Sequence, residues 1–275
     1  QRLNFVKGQA PADGYVEQDP DLPDCAWGYA EGSGGVLYVR NGIVHIINCN
    51  FYNNRAALIG PDVGGGAVYV LGVPEVIISG SRFVGNRASN GGAVGILFGN
   101  PQIYNTLFEN NTAEGTGQNG CCDERCTGVG HEEQTGAGGN SGALYFDGMN
   151  SDGIVYTICG SVFKNNRAQE LGGALFRTPN VDMRDMLIDR CVFDGNTAIL
   201  GGVSFIKQNN LVVRQSTFMN NRAGIDIEGN NVGGAIGGLW VNEGSIDVEN
   251  STFYDNSPSG LTVEGTGSTA VNSTF

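Results

Sequence analysis

Aligning the chain on its recurrent phenylalanines resolves it into columns of like residues. Phe51, Phe83, Phe108, Phe163, Phe193, Phe218, Phe253 and Phe275 recur at 22 to 35 residues, with one longer interval of 55 between Phe108 and Phe163. Five residues before each stands an apolar residue: Ile46, Ile78, Ile103, Ile158, Ile188, Val213, Val248 or Ala270. Two residues before stands a small one: Cys49, Ser81, Thr106, Ser161, Cys191, Ser216, Ser251 or Ser273. Three residues after come Asn54, Asn86, Asn111, Asn166, Asn196, Asn221 and Asn256. The β-branched residues before each phenylalanine predict short strands, and no long stretch repeats apolar residues at the helical period of 3.6. Identity within columns at this period predicts a solenoid whose coils stack ~4.8 Å apart, like on like. The phenylalanines are then expected to stack inside. The asparagines are expected to form a side-chain amide ladder at a turn.

A second anchor alternates with the first. Gly-Gly plus a small apolar residue occurs at Gly34-Gly35-Val36, Gly65-Gly66-Ala67, Gly91-Gly92-Ala93, Gly172-Gly173-Ala174, Gly201-Gly202-Val203 and Gly233-Gly234-Ala235. Ser141-Gly142-Ala143 and Ser259-Gly260-Leu261 are variants. Paired glycines allow a corner with positive φ and close backbone approach. The predicted fold is all-β, a single-stranded right-handed parallel β-helix of about eight coils. The missing leucine lattice excludes a leucine-rich repeat, and the implied strand order excludes a propeller. Over residues 34–275 the two anchors resemble the GGA[ILV] and FxxN repeats of the chlamydial polymorphic outer membrane proteins. That resemblance implies an autotransporter passenger acting as an adhesin, although this sequence lacks a C-terminal membrane barrel.

Residues 1–33 lack the repeat and read as an N-terminal cap over the open end of the solenoid. Asp19, Asp21 and Asp24 offer carboxylates for Ca²⁺, but their spacing is not that of an EF-hand loop, and a solvated loop is the preferred reading. No other cofactor is expected. A Cys-rich loop is inserted at 114–140, with Cys121, Cys122, Cys126 and His131. Adjacent cysteines fit one tetrahedral metal poorly, so stapling by disulfides is favoured over zinc, with Cys159 as a partner for the loop. Cys25 with Cys49 is a further candidate pair. Cys49 and Cys191 stand four coils apart and cannot pair with each other. The seventh cysteine leaves at least one thiol unpaired or joined to another chain. Val271 to Phe275 stops inside a coil, so the natural chain is expected to continue, or a second subunit to stack there.

Charge narrows the partners. The net charge of −13 disfavours nucleic acid and anionic membranes, and acidic polysaccharides too unless cations bridge them. No apolar run is long enough to span a membrane. Sequons at Asn110, Asn250 and Asn272 suggest an extracellular or cell-surface glycoprotein, provided the source is eukaryotic. A candidate catalytic group lies four residues before successive phenylalanines, where Asp189, Arg214 and Glu249 follow Cys159, with Asp247 beside them. These residues would suit a glycoside hydrolase or lyase, but an arginine between carboxylates better fits a surface ion-pair ladder. His45 and His131 sit far apart in the repeat and support no Ser/His/Asp triad. Tyr38, Tyr69, Gly95, Tyr145, Phe176, Phe205, Gly237 and Val263 form another column, alternating with an aliphatic one. If the aliphatics fill the core, Tyr38, Tyr69, Tyr145, Phe176 and Phe205 form an outer stripe able to stack on sugars or dock a partner; the alternative is that they point inward or are covered. The leading expectation is an adhesive or structural element that binds glycans, a host surface or neighbouring subunits. A carbohydrate-active enzyme is the second. An extracellular filament subunit stacked end to end is the third.

Overall fold

The computed structural model describes residues 2–11, 32–60, 63–119, 137–148, 153, 155–179, 184–233 and 236–274. They form a parallel β-helix with three long faces of eight strands each and one short corner sheet of five. The first face runs from Leu37–Arg40 to Leu261–Glu264, and the second from Ile43–Ile47 to Thr269–Val271. The third carries the phenylalanines and runs from Asn4–Val6 to Thr252–Tyr254. The corner sheet comprises Arg87–Ala88, Thr112–Ala113, Arg167–Ala168, Thr197–Ala198 and Arg222–Ala223. The only antiparallel strand pair among the described residues, Gln118–Asn119 with Ala137–Gly138, lies at the root of the insertion. No described helix is long and apolar enough to cross a membrane.

Strict register puts like on like. Phe51, Phe83, Phe108, Phe163, Phe193, Phe218 and Phe253 stack with ring centroids 4.6 to 5.1 Å apart. Such stacking adds roughly 0.5–1.5 kcal/mol per pair beyond area burial. The repeat begins before its first Gly-Gly. Asn4–Val6 pairs with Asn50–Tyr52, and Phe5 stacks on Phe51 at 4.9 Å, so part of the region expected to be a cap is itself a coil.

The asparagine column is a continuous amide ladder. The Nδ2 of Asn86 donates to Asn111 Oδ1 at 2.9 Å and to the Phe51 carbonyl of the preceding coil at 3.2 Å. Its Oδ1 accepts from the Asn54 backbone N–H at 3.0 Å and from Asn54 Nδ2 at 2.8 Å. All four bonding positions of a buried amide are thus filled, and the same geometry repeats through Asn221, which donates to the last rung, Asn256. The hydroxyl column forms a second ladder. Backbone N–H groups donate up one coil, as from Thr106 to Ser161 Oγ at 3.2 Å and from Ser216 to Ser251 Oγ at 3.1 Å.

Left-handed corners separate the faces. Asn48, Gly80, Asn105, Gly160, Arg190, Gln215, Asn250 and Asn272 all have φ between 47° and 62°. The residues two after the phenylalanines, including Asn53, Gly85, Asn110 and Asn165, are left-handed too, with φ between 50° and 68°. All three sequon asparagines are exposed and occupy these corners, followed by a ladder residue and then a threonine. The repeat alone therefore generates the Asn-x-Thr pattern. The Gly-Gly corner is tighter still. A Cβ on Gly92 would lie 2.3 Å from the Gly142 carbonyl oxygen, where the coil pinches onto the corner sheet.

The seventh coil corrects the column assignment. Leu239 pairs with Ser204 and Trp240 with Phe205, so Trp240, not Gly237, continues the aromatic column. In the last coil Leu261 pairs with Leu239, which places Thr262 there rather than Val263. The cause is the extra loop at 224–232, which displaces the corner from Gly233-Gly234 to Gly237-Gly238.

Replacing Asn166 by Ala should strip an internal rung and orphan buried donors and acceptors, at a cost of about 3 kcal/mol. Asn256→Ala, on a half-buried rung, should cost clearly less. Thermal unfolding of the two variants side by side checks the ordering, and equal losses would contradict it.

Candidate functional site

The residue after each ladder asparagine points outward from the corner sheet. Strand register and bridges align Gln9, Arg55, Arg87, Thr112, Arg167, Thr197, Arg222 and Ser257 in one column. The following alanines, from Ala56 to Ala198, are buried against the pinch. The signal was present in the sequence as Asn-Arg-Ala at 54–56, 86–88, 166–168 and 221–223, but it lay beyond the columns aligned before the phenylalanine.

Three coils of this column floor an open cleft of about 450 Å³. Arg87, Thr112 and Arg167 rise from successive corner strands, and Asn110 and Asn165 flank them from left-handed corners. Glu114, two residues beyond Thr112, forms the opposite wall and pairs with Arg87 Nε. That hydrogen bond raises the Arg87 pKa above its ordinary value. The top of the cleft is the tip of the 224–232 loop, Ile227 and Glu228. Arg167 Nη1 donates to the Ile227 carbonyl at 3.2 Å, and the Ile227 N–H donates to Gln169 Oε1 at 3.3 Å. The loop holds its own shape through Asp226. Its carboxylate accepts the Asn230 N–H at 2.7 Å and Asn230 Nδ2 at 2.9 Å. The side-chain bond from Asn230 holds the Asp226 carboxyl below its ordinary range. The cleft thus presents two arginines, two carboxylates, two amides and one aliphatic side chain, with no net charge.

The other expected sites fare differently. Asp189, Arg214 and Glu249 do stack on consecutive coils of the second face. Arg214 pairs with Glu249 at 3.2 Å, while Asp189 takes Arg190 at 2.9 Å. Asp247 accepts the Thr269 hydroxyl at 2.5 Å. These are separate surface contacts, and none of the four residues lines the cleft. The aromatic column does lie outward of the core aliphatics, but it is not an open stripe. Tyr69 and Tyr145 are 0% exposed, Phe176 7% and Trp240 8%, while Tyr38 and Phe205 are half-buried. Leu171, Leu200 and Ile236 pack on the upper part, and the Tyr69 ring fills the gap at Gly95. Stacking on a sugar is therefore closed to Tyr69 and Tyr145.

Cys49, Cys159 and Cys191 are free thiols, so neither Cys49 nor Cys159 carries the disulfide expected of it. Cys49 Sγ instead donates to the Ile47 carbonyl at 3.4 Å, and Cys159 Sγ accepts from Arg190 Nη2 at 3.0 Å. Burial pushes the Cys191 thiol up to about 12. Asp19, Asp21, Asp24, Cys25, Cys121, Cys122, Cys126 and His131 lie outside the described residues. Among the described residues no cluster of His, Cys, Asp and Glu could hold a metal ion.

A model of the right-handed β-helix region matches residues 34–232 and 138–275. The chain belongs to the right-handed β-helix family, which includes adhesins and carbohydrate-active enzymes. No curated protein and no solved structure matches it.

Iodoacetamide at pH 8 should label Cys159 in the folded protein and leave Cys191 untouched until unfolding, as read by peptide mass spectrometry. Comparable native labelling of both would contradict the burial argument. Because the folded Asp226 pKa is depressed, its stabilisation of the loop is complete above the ordinary value of 3.8 and is lost as pH falls through the lower folded value. Amide protection factors at Gly229 and Asn230 should hold from pH 7 to 5 and drop only below the ordinary carboxylate range. Asp226→Asn should remove that drop.

Proposed function

We propose that this protein is an extracellular or cell-surface β-helix that acts as an adhesive element, binding neutral glycans in the corner-sheet cleft. The matched charge of the cleft carries this reading. Arg87 is offset by Glu114, and Arg167 and Glu228 both line the cleft, so the site offers strong donors and acceptors without selecting an ionic ligand. Its volume of about 450 Å³ falls in the range of small-molecule sites, and Ile227 offers an apolar patch for the ring face of a sugar. The GGA and FxxN anchors support the same reading, because the polymorphic outer membrane type of repeat that they resemble belongs to adhesins. That support is a fold-level analogy. Host surfaces and neighbouring subunits are the alternative partners.

A second reading keeps the fold and changes the chemistry. Glu114 and Glu228 come from different coils yet line one cleft, which favours a glycoside hydrolase over the other enzyme classes.

A glycan array paired with reducing-sugar release on the same panel separates the two. Adhesion predicts binding of neutral oligosaccharides without release, weakened about tenfold or more by Arg167→Ala. Sugar release that disappears in Glu228→Gln would establish the hydrolase instead. Absence of any glycan binding would overturn both.

A further inference from the structure

The cleft on the corner sheet is walled on three sides by described residues. Its floor follows the coil axis, with Arg87, Thr112 and Arg167 on three successive coils. At the usual strand spacing the floor runs roughly 10 Å from the first to the last. Asn110 and Asn165 stand along one flank, and Glu114 stands on the other. The long direction of the cleft is therefore the axis, and its two ends differ.

The end beyond Arg167 is shut by the 224–232 loop. This loop leaves the coil of Arg222 and runs back against the axis. At its root the Gly224 N–H donates to the Ile199 carbonyl at 2.9 Å and the Ile225 N–H to the Ala198 carbonyl at 3.2 Å, both one coil down. Ile225 bridges Asn231 in antiparallel fashion, so the loop closes into a narrow finger. Its tip reaches one coil further, where the Ile227 carbonyl and N–H are both taken, by Arg167 and Gln169. The Thr197 hydroxyl, next in the floor column after Arg167, is sealed from solvent. At the opposite end the Arg87 side chain is 54% exposed, and Gln9, two coils further along the column, is exposed as well. Among the described residues the cleft is a blind groove whose mouth lies at Arg87.

Resting on the glycan reading of this cleft, we infer that it takes the end of a neutral glycan chain and not an interior stretch. A chain lying along the axis enters at Arg87, and its terminal ring stops against Ile227 and Glu228. An internal ring cannot occupy that position, because the chain would have to continue through a finger pinned at its root and at its tip. A terminal ring also carries a free hydroxyl where an internal ring carries a linkage. At the blind end that hydroxyl meets the Glu228 carboxylate, a strong acceptor. A glycosidic oxygen has no proton to donate, so it would leave the carboxylate unmet. The finger is thus the element that sets specificity, and rings beyond the mouth lie outside the walls.

Calorimetric titration of the whole chain with cello-, manno- and xylo-oligosaccharides of one to six rings tests this. In a series that binds, affinity should rise over the first two or three rings and then level, changing by less than about twofold up to six. Two capped hexasaccharides identify the end, one methylated on the hydroxyls of its non-reducing ring and one closed as the reducing-end methyl glycoside. One cap should cost about tenfold or more and the other almost nothing. Affinity that keeps climbing with length, or indifference to both caps, would overturn chain-end recognition while leaving glycan binding in place. Binding by none of the series overturns this inference together with the reading it rests on. Replacing residues 226–230 by Gly-Gly joins Ile225 to Asn231 across their existing bridge. That variant should lose the levelling and gain about threefold or more from three rings to six, and a retained plateau would overturn the role of the finger. If the variant does not fold, the wild-type length series and the two caps decide.

Discussion

Everything in this molecule depends on the requirement that each coil present the next with a copy of its own hydrogen-bonding edge. Parallel strands leave their N–H and C=O groups facing along the axis, and only a coil in strict register satisfies them. The strands alone are short, three to five residues on most faces, and would fix that register weakly. The asparagine amides fix it. The internal rungs from Asn86 to Asn221 are buried, and each uses all four of its bonding positions on groups of the coils before and after. A slip by one residue would bring a corner residue such as Gly85, or an outward one such as Arg87, onto the ladder and leave buried amides unpaired, which costs far more than any single strand pair returns.

Corners carry the remaining specificity. Gly80, Gly85, Gly160 and Gly195 each follow an asparagine in the coil below, whose Oδ1 lies 2.3 to 2.4 Å from where a Cβ would stand. Each of these positions is therefore constrained twice, once by its left-handed φ and once by a neighbour 30 to 55 residues away in sequence. The same coupling explains why like residues recur without being identical, since a corner asparagine and a corner glycine fit one another across coils.

Most of the scaffold was legible because its determinants repeat. Phe83 and Asn86 mean little alone, but eight aligned copies define the columns and the period. Where the period is interrupted, the reading slipped. The 224–232 loop moved the seventh corner by a few residues, so Trp240 was hidden behind Gly237. Period-two alternation correctly placed the aromatic column opposite the aliphatic one, but it could not say that Leu171, Leu200 and Ile236 would close over it. The cleft was less visible still. Arg87 and Arg167 belong to a readable Asn-Arg-Ala pattern, whereas Glu114 and Glu228 come from irregular segments whose meeting depends on how one loop folds back over two coils.

The ladders sit at the corners and leave the connecting segments unconstrained. From Phe51 to Phe253 successive phenylalanines are separated by 25, 30, 32, 35 or 55 residues, yet each stacks on the next at about the same distance. Contour length and axial rise are therefore decoupled. The molecule is a ruler graduated in coils, and each loop is a flag fixed at its own mark. Lengthening or exchanging one flag changes what is displayed at that height and leaves the other marks in place.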